Sequence, residues 1–144
     1  MFNEKLASDY LKRAGHRLKA LETLMAEESW PDVVREAQEL VEITLKALLR
    51  GCGIEVPNIH DLSPVLEQNQ DRLPAAIRGK LGDLVRISRS LRRDRELAFY
   101  GSEDLTPSDF YTREDAATAL DSARLVHAEV KKALRTDTGA SAQA

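Results

Sequence analysis

The 144-residue chain has a single cysteine, Cys52, and is poor in glycine, proline and long apolar runs. One cysteine excludes an intrachain disulfide framework and a cysteine-rich zinc module. Seven glycines and five prolines exclude collagen-like and proline-rich chains. No run of 18 apolar residues occurs, and the acidic N-terminus has no apolar segment typical of a signal peptide. We therefore expect a protein of the cytoplasm with no membrane association.

The sequence also lacks the short motifs of common catalytic and cofactor sites. Its three histidines, His16, His60 and His127, are dispersed and show no metal-binding spacing. There is no glycine-rich phosphate loop and no serine-hydrolase motif. We therefore expect no cofactor and no metal. Cys52 is interpreted as structural, because no basic residue closer than Arg50 would activate its thiol.

What the chain does contain is a helical pattern of apolar residues. Hydrophobic residues make up 42% of the sequence and charged residues 31%, which is enough apolar material for one core at this length. Apolar residues recur three and four positions apart, and no alternating strand pattern persists. The four long helices are expected from residues 3–7 to Glu28, from the start signal at 29–32 to Gly51 and Gly53, from about Pro74 to Gly101, and from the cap signature at 112–115 to about Leu134.

Between and after these helices, the sequence predicts shorter features. Ser63 and Pro64 open a short helix, and residues 101–111 are expected to form a loop. The chain is therefore predicted to be an all-α, antiparallel up-and-down helical bundle of four long helices plus a short one. One domain is expected over residues 1–135. The small, polar residues 136–144 are expected to form a flexible C-terminal tail.

Positive charge is concentrated in one segment of this pattern. The chain carries a net charge of −3, but residues 72–95 contain eight basic and two acidic residues, a net +6, so the remainder carries −9. On a helical wheel, five arginines share an arc of roughly 120°: Arg78, Arg86, Arg89, Arg92 and Arg93. Because arginine offers a bidentate fork to phosphate, this stripe indicates a phosphate-binding surface. The alternative is a solvated face balanced by acidic neighbours.

Arg95 falls on the apolar arc of the same helix, in register with Leu84 and Leu91. A guanidinium facing the core is costly unless it is paired or hydrated, so the protein must offer it a partner or a polar cleft. Arg95 is therefore a candidate ligand-binding residue. The alternative is a helix-end arginine that reaches water or neutralises a buried acid.

Two further groups are candidates. Glu42 and Lys46 flank the apolar stripe of the second long helix and can pair with each other four residues apart, either near Arg95 or as an ordinary surface ion pair. Four of the seven aromatic residues flank the loop at 101–111: Phe99, Tyr100, Phe110 and Tyr111. They could stack on a base, although capping the end of the bundle is the interpretation that we favour.

From about Leu6 to Leu134, the chain resembles the HEPN (higher-eukaryote and prokaryote nucleotide-binding) domain family. The resemblance is carried by segments in a particular order and spacing: the second long helix over 34–49, Gly53 and Ile54 with Pro57, His60 and Asp61, Arg95 to Gly101, and the helix start at Tyr111 and Thr112. It implies a bundle of four long helices plus a short one, often as a homodimer. Many members of the family are ribonucleases or toxins, commonly encoded beside a minimal nucleotidyltransferase antitoxin.

The active motif of the family is an arginine followed after four to six residues by histidine. Such a histidine can move the proton of an RNA 2′-hydroxyl while the arginine holds the phosphate. Arg95 matches the arginine, but the expected histidine positions hold Tyr100, Gly101 and Ser102. Tyrosine has a pKa near 10 and is a poor base at neutral pH, which puts ribonuclease activity in doubt.

The leading hypothesis is a HEPN protein with a degenerate catalytic motif. It binds a nucleotide or RNA through Arg95, Arg92, Arg89 and Tyr100, with Lys46 and Glu42, and acts with a partner in a toxin–antitoxin setting. One alternative is a metal-independent endoribonuclease toxin that uses Arg95 and Tyr100. The other is a protein-interaction module that pairs with a nucleotidyltransferase. A homodimer is also expected, from the resemblance and from Gly79 and Gly82, which leave room for close approach.

Overall fold

The chain forms a bundle of α-helices. The computed structural model describes the backbone of residues 4–59, 61–100 and 106–143 and the side chains of residues 4–59, 61–92 and 106–135. Its helices are α1 (Glu4–Ala26), α2 (Trp30–Gly51), α3 (Ser63–Gln68), α4 (Ala75–Arg78), α5 (Leu81–Tyr100), α6 (Pro107–Phe110) and α7 (Arg113–Gln143), with a 3₁₀ turn at Gln70–Arg72. No strand occurs among the described residues, and the predicted all-α class is confirmed.

Helix α2 lies at the centre of the bundle and packs against α1, α5 and α7. Its apolar residues cover a wide arc, and four of its leucines are fully buried: Leu40, Leu45, Leu48 and Leu49. A helix that is apolar over most of its circumference is stable only when other elements surround it. Burial of each such leucine contributes about 1.5–3 kcal/mol, so α2 anchors the core.

Long helices that are consecutive in the chain alternate in direction. Arg17 of α1 contacts Glu36 of α2 at 3.1 Å, and a side chain at Gly51 would meet Ala7, so α1 and α2 run antiparallel. Lys80, just before the start of α5, lies 2.9 Å from Glu129, which is past the middle of α7. Leu91, further along α5, borders the same pocket as Tyr111, which comes just before α7 begins. Helices α5 and α7 are therefore also antiparallel, as in an up-and-down bundle.

The predicted helix starts are found at the expected positions, with one difference in hydrogen bonding. The Thr112 backbone N–H donates to Asp115 Oδ2 at 2.9 Å, and the Asp115 N–H donates to Thr112 Oγ1, which is a capping box. Ser29 precedes α2 as predicted, but its hydroxyl donates to the carboxylate of Asp32 at 2.6 Å rather than capping the backbone.

Two expectations about the middle of the chain are wrong. The helix predicted from about Pro74 is interrupted at Gly79 and Lys80, where Lys80 N–H donates to Ile77 O in a tight turn. Glycine weakens helices, which explains the position of the break. The expected loop at 101–111 contains α6. A capping box between Thr106 and Asp109 starts this short helix.

At the C-terminus, α7 reaches Gln143 and so includes residues 136–143. The flexibility of this segment, and the division of the chain into a domain over 1–135 and a tail over 136–144, stay predictions. Among the described residues, no helix combines the length and the apolar character that crossing a membrane requires.

Candidate functional site

Exposed arginines line one face of α5. Arg86, Arg89 and Arg92 all project into solvent along this face. Arg89 Nη2 donates to Glu67 Oε1 of α3 at 2.7 Å, and Arg86 lies 3.5 Å from Asp83. Side chains of these pairs are roughly half or more exposed, and such pairs contribute about 0–1 kcal/mol. An incoming phosphate can therefore replace these carboxylates at little cost.

An open groove of about 870 Å³ lies beside these arginines, between α3 and α5. Its lining includes Glu67, Val85, Arg86, Arg89 and Gly82. A Cβ added at Gly82 would meet no described atom outside the backbone of its own helix within 4 Å, so the groove is unobstructed at this end. The groove is wide enough for a nucleotide-sized ligand, with two guanidinium groups at its edge.

Asp61, in the segment before α3, lies close to the same arginines. Its Oδ1 accepts a hydrogen bond from the backbone N–H of Ser63 at 3.0 Å. Partial burial acts to raise the pKa of Asp61, but that hydrogen bond and the charges of Arg89 and Arg92 outweigh burial and hold the pKa below its ordinary value. The arginine face is thus bordered by two carboxylates, Asp61 and Glu67.

Not all predicted members of the stripe belong to it. The break at Gly79 separates Arg78 from α5, and Arg78 Nη1 donates instead to the backbone carbonyl of Leu73 at 3.1 Å. Including Arg78 in the stripe is therefore wrong, because the wheel assumed one continuous helix. Arg95 and Tyr100 fall in α5 as expected. Their side chains, like that of Arg93, lie outside the described residues, and their roles stay predictions.

Glu42 and Lys46 form the predicted ion pair but lie elsewhere on the molecule. Lys46 Nζ is 3.2 Å from Glu42 Oε1, and Gln38 Nε2 donates to Glu42 Oε2 at 3.1 Å. The groove that they line is bordered by α1 and α2 residues, including Arg13 and Arg17. The structure therefore does not bring Glu42 and Lys46 into the groove of Arg89, which α3 and α5 form.

The described aromatic residues near 101–111 belong to the core. Tyr111 is 9% exposed and is part of the hydrophobic cluster, and Phe110 packs against that cluster. These positions agree with capping of the bundle rather than with stacking on a base. The side chains of Phe99 and Tyr100 are outside the described residues.

A second groove, of about 810 Å³, lies between α1 and α7 and was not found by sequence reasoning. His16 and His127, dispersed in sequence, both line it. His127 is 9% exposed, and its burial lowers its pKa, although a hydrogen bond to the backbone carbonyl of Leu11 acts the other way; the charge of Lys131 also lowers it. Only the packing of α1 against α7 brings these residues together, so no short-range signal could reveal the groove.

The described side chains include no group of three or more histidine, cysteine, aspartate or glutamate residues placed to hold a metal ion. The α3–α5 groove is lined by two arginines, Arg86 and Arg89. These supply positive charge and hydrogen-bond donors, the features that recognise phosphate.

Comparison with known proteins agrees with this architecture. The family model of the HEPN domain matches residues 7–133. A protein of Methanocaldococcus jannaschii named "Putative toxin MJ1304" is 30% identical over 144 residues, which cover 96% of this chain and 94% of that protein. No solved structure matches. Because the family model spans nearly the whole helical bundle, the chain belongs to the HEPN domain family.

Proposed function

We propose that this HEPN protein binds a nucleotide or RNA through the arginine face of α5 and acts as the toxin-like member of a toxin–antitoxin pair. The observation that carries the proposal is the row of exposed arginines, Arg86, Arg89 and Arg92, beside an open groove. Membership of the family and the name of the archaeal relative support the toxin-like setting. A minimal nucleotidyltransferase as the partner and a homodimer as the active form are part of the same proposal.

The chemistry of the face supports phosphate recognition. Each guanidinium can donate two parallel hydrogen bonds to a phosphate, and Arg89 and Arg92 are held on adjacent turns of one helix. Arg95 lies one further turn along α5, on the predicted apolar arc, and is proposed to bind the same ligand. The carboxylates of Asp61 and Glu67 keep the arginines in position until a phosphate displaces them.

An endoribonuclease is the second candidate, since the relative is named as a toxin. In that case Arg95 would hold the phosphate, and Tyr100 would occupy the place of the missing histidine. The high ordinary pKa of tyrosine makes cleavage slow at neutral pH, so we favour binding without efficient catalysis. A pure interaction module remains the third candidate.

Titration of a labelled single-stranded RNA over a range of salt concentrations tests the proposal. Replacement of both Arg89 and Arg92 by glutamine should weaken binding by about tenfold or more, and the salt slope should fall by about 0.7 for each phosphate that the variant no longer neutralises. Arg124→Gln is the matched control, because Arg124 also forms an exposed cross-helix pair, with Glu22 at 3.3 Å, but lies on α7. The affinity of the Arg124→Gln variant for the RNA should change little.

Three results separate the candidates. Salt-independent or undetectable RNA binding would reject the proposal and leave the interaction module. Equally weakened binding in the α5 variant and in Arg124→Gln would show that binding is not located on α5. RNA cleavage that persists with a chelator, and disappears in Tyr100→Phe, would favour the metal-independent endoribonuclease.

A further inference from the structure

The groove between α1 and α7 combines an apolar floor with basic edges. The floor is formed by Ala7, Leu11, Leu18 and Leu134. Gly15 and Gly51 also line the groove, and a Cβ added at Gly15 would lie 3.8 Å from His127 Nε2, an ordinary van der Waals distance. Helices α1 and α7 both pack against α2, but a strip of apolar surface stays uncovered where α1 borders α7.

The edges of the groove carry an excess of uncompensated positive charge. Its lining contains four long basic side chains: Lys12, Lys19, Lys131 and Arg135. Within the part of the chain whose side chains are described, none of the four forms an ion pair. Of the two acids that line the groove, Glu22 is already paired with Arg124. An occupant with negative charge on its flanks would therefore be attracted.

We propose that this groove docks an acidic amphipathic helix of a partner protein. The lining runs along α1 from Glu4 to Glu22, a length of about 27 Å at 1.5 Å per residue. Such a groove accepts the apolar face of a helix several turns long, whose flanking carboxylates meet the lysines at the edges. This inference does not depend on the proposed RNA binding, because the groove and the α5 arginine face share no lining residue.

Other occupants fit the groove less well. Its lining includes no phenylalanine, tyrosine or tryptophan, and of its two imidazole rings that of His127 is buried, so a nucleobase would find little aromatic surface to stack on. A fatty acid has one charged end, whereas the cations are distributed along both helices: Lys12 and Lys19 on α1, Lys131 and Arg135 on α7. Distributed charge along an apolar strip matches the two flanks of an amphipathic helix.

Binding of two synthetic peptides to the full chain tests the inference. Both have about 18 residues with leucines on one helical face; one carries glutamates on its flanks and the other carries lysines. The glutamate peptide should bind at least about tenfold more tightly than the lysine peptide. Lys12→Glu combined with Lys131→Glu should reverse that preference, whereas Lys5→Glu, an exposed lysine of α1 outside the lining, should leave it unchanged.

Gly15→Leu supplies a test that does not depend on charge. The added side chain should fill the groove and abolish peptide binding, while the helical circular dichroism spectrum and RNA binding are retained. The inference is overturned if neither peptide binds, if both bind equally, or if Gly15→Leu binds normally. It is also overturned if oleate binds and the glutamate peptide does not displace it, or if the groove variants instead abolish self-association. Because RNA binding is measured on the same variants, failure here is distinguishable from failure of the proposed function.

Discussion

His127 shows how burial determines the properties of a single residue. The imidazole is 9% exposed between α7 and α1 and is bonded to the carbonyl of Leu11. The neutral imidazole carries one N–H group, which is enough to donate the hydrogen bond to Leu11. The protonated form would place a charge in a partly apolar site near Lys131, which is why the pKa of His127 is lowered.

This lowered pKa predicts a pH dependence of stability. In the unfolded chain, histidine takes up a proton near pH 6.5, whereas folded His127 resists it, so the unfolded state binds more protons as pH falls. The stabilising contribution is therefore complete above about pH 6.5 and is lost as pH falls through the folded pKa. As the pH is lowered from neutral to mildly acidic, the melting temperature should fall more for the native chain than for His127→Gln.

His16→Gln is the control for that measurement. His16 lines the same groove but is exposed on α1, so its replacement should leave the pH dependence as it is in the native chain. If the melting temperature falls equally with pH in the native chain, His127→Gln and His16→Gln, His127 does not resist protonation in the folded state.

At this scale, helical periodicity predicted some side-chain positions and missed others. It identified the outward face of Arg86, Arg89 and Arg92 and the pair between Glu42 and Lys46, because both depend only on spacing within a helix. Glu67, Asp61 and the Leu11 carbonyl that His127 contacts come from other parts of the chain. Their positions depend on how the helices pack, which periodicity does not contain.

At the scale of elements, two glycines that end or interrupt helices have opposite roles. Gly79 has φ −66° and ψ −18°, which any residue adopts, and a Cβ there would have ordinary contacts at 3.8 Å. Gly53 has φ 72°, a conformation that side chains disfavour, and its carbonyl accepts a hydrogen bond from Arg72. Only the second glycine is required by the backbone.

The two glycines therefore predict changes of opposite sign. Gly79→Ala should raise the free energy of unfolding by about 0.4–1 kcal/mol, because alanine restricts the unfolded chain without strain. Gly53→Ala should lower it by about 1–2 kcal/mol, the cost of a left-handed conformation with a Cβ. Denaturant titrations measure both. If Gly79→Ala is destabilising, the break between α4 and α5 requires glycine after all.

The elements themselves were predictable to the extent that their signals are local. Start signals at 29–32 and 112–115 and the apolar stripe of α2 identified long helices correctly. The break after α4 and the presence of α6 were missed, because a single glycine is compatible with a continuous helix and four residues are too few to show periodicity.

At the scale of the whole molecule, charge is segregated around the core. The segment 72–95 carries +6 and the remainder −9, yet the α1–α7 groove outside that segment is also basic. The bundle thus presents two separate cationic surfaces on an acidic protein. The two proposed ligands, a phosphate-bearing ligand at α5 and an acidic helix at the α1–α7 groove, would therefore bind to different faces of the bundle.

The expected homodimer is the last prediction. Gly82 lies at the exposed start of α5, and a Cβ there would meet no described atom outside its own helix within 4 Å, so a second copy could approach closely beside the arginine face. Sedimentation at tens of micromolar should give twice the 16.1 kDa mass of one chain. Gly82→Trp should shift the equilibrium to monomer, whereas Asp121→Trp, which adds the same bulk at a site 77% exposed on α7, should remain dimeric. A monomeric native chain would contradict the homodimer, and a dimer that survives Gly82→Trp would place its interface away from α5. In either case Gly82 would not lie between two copies, and the arginine face beside it would be open to RNA on a single bundle.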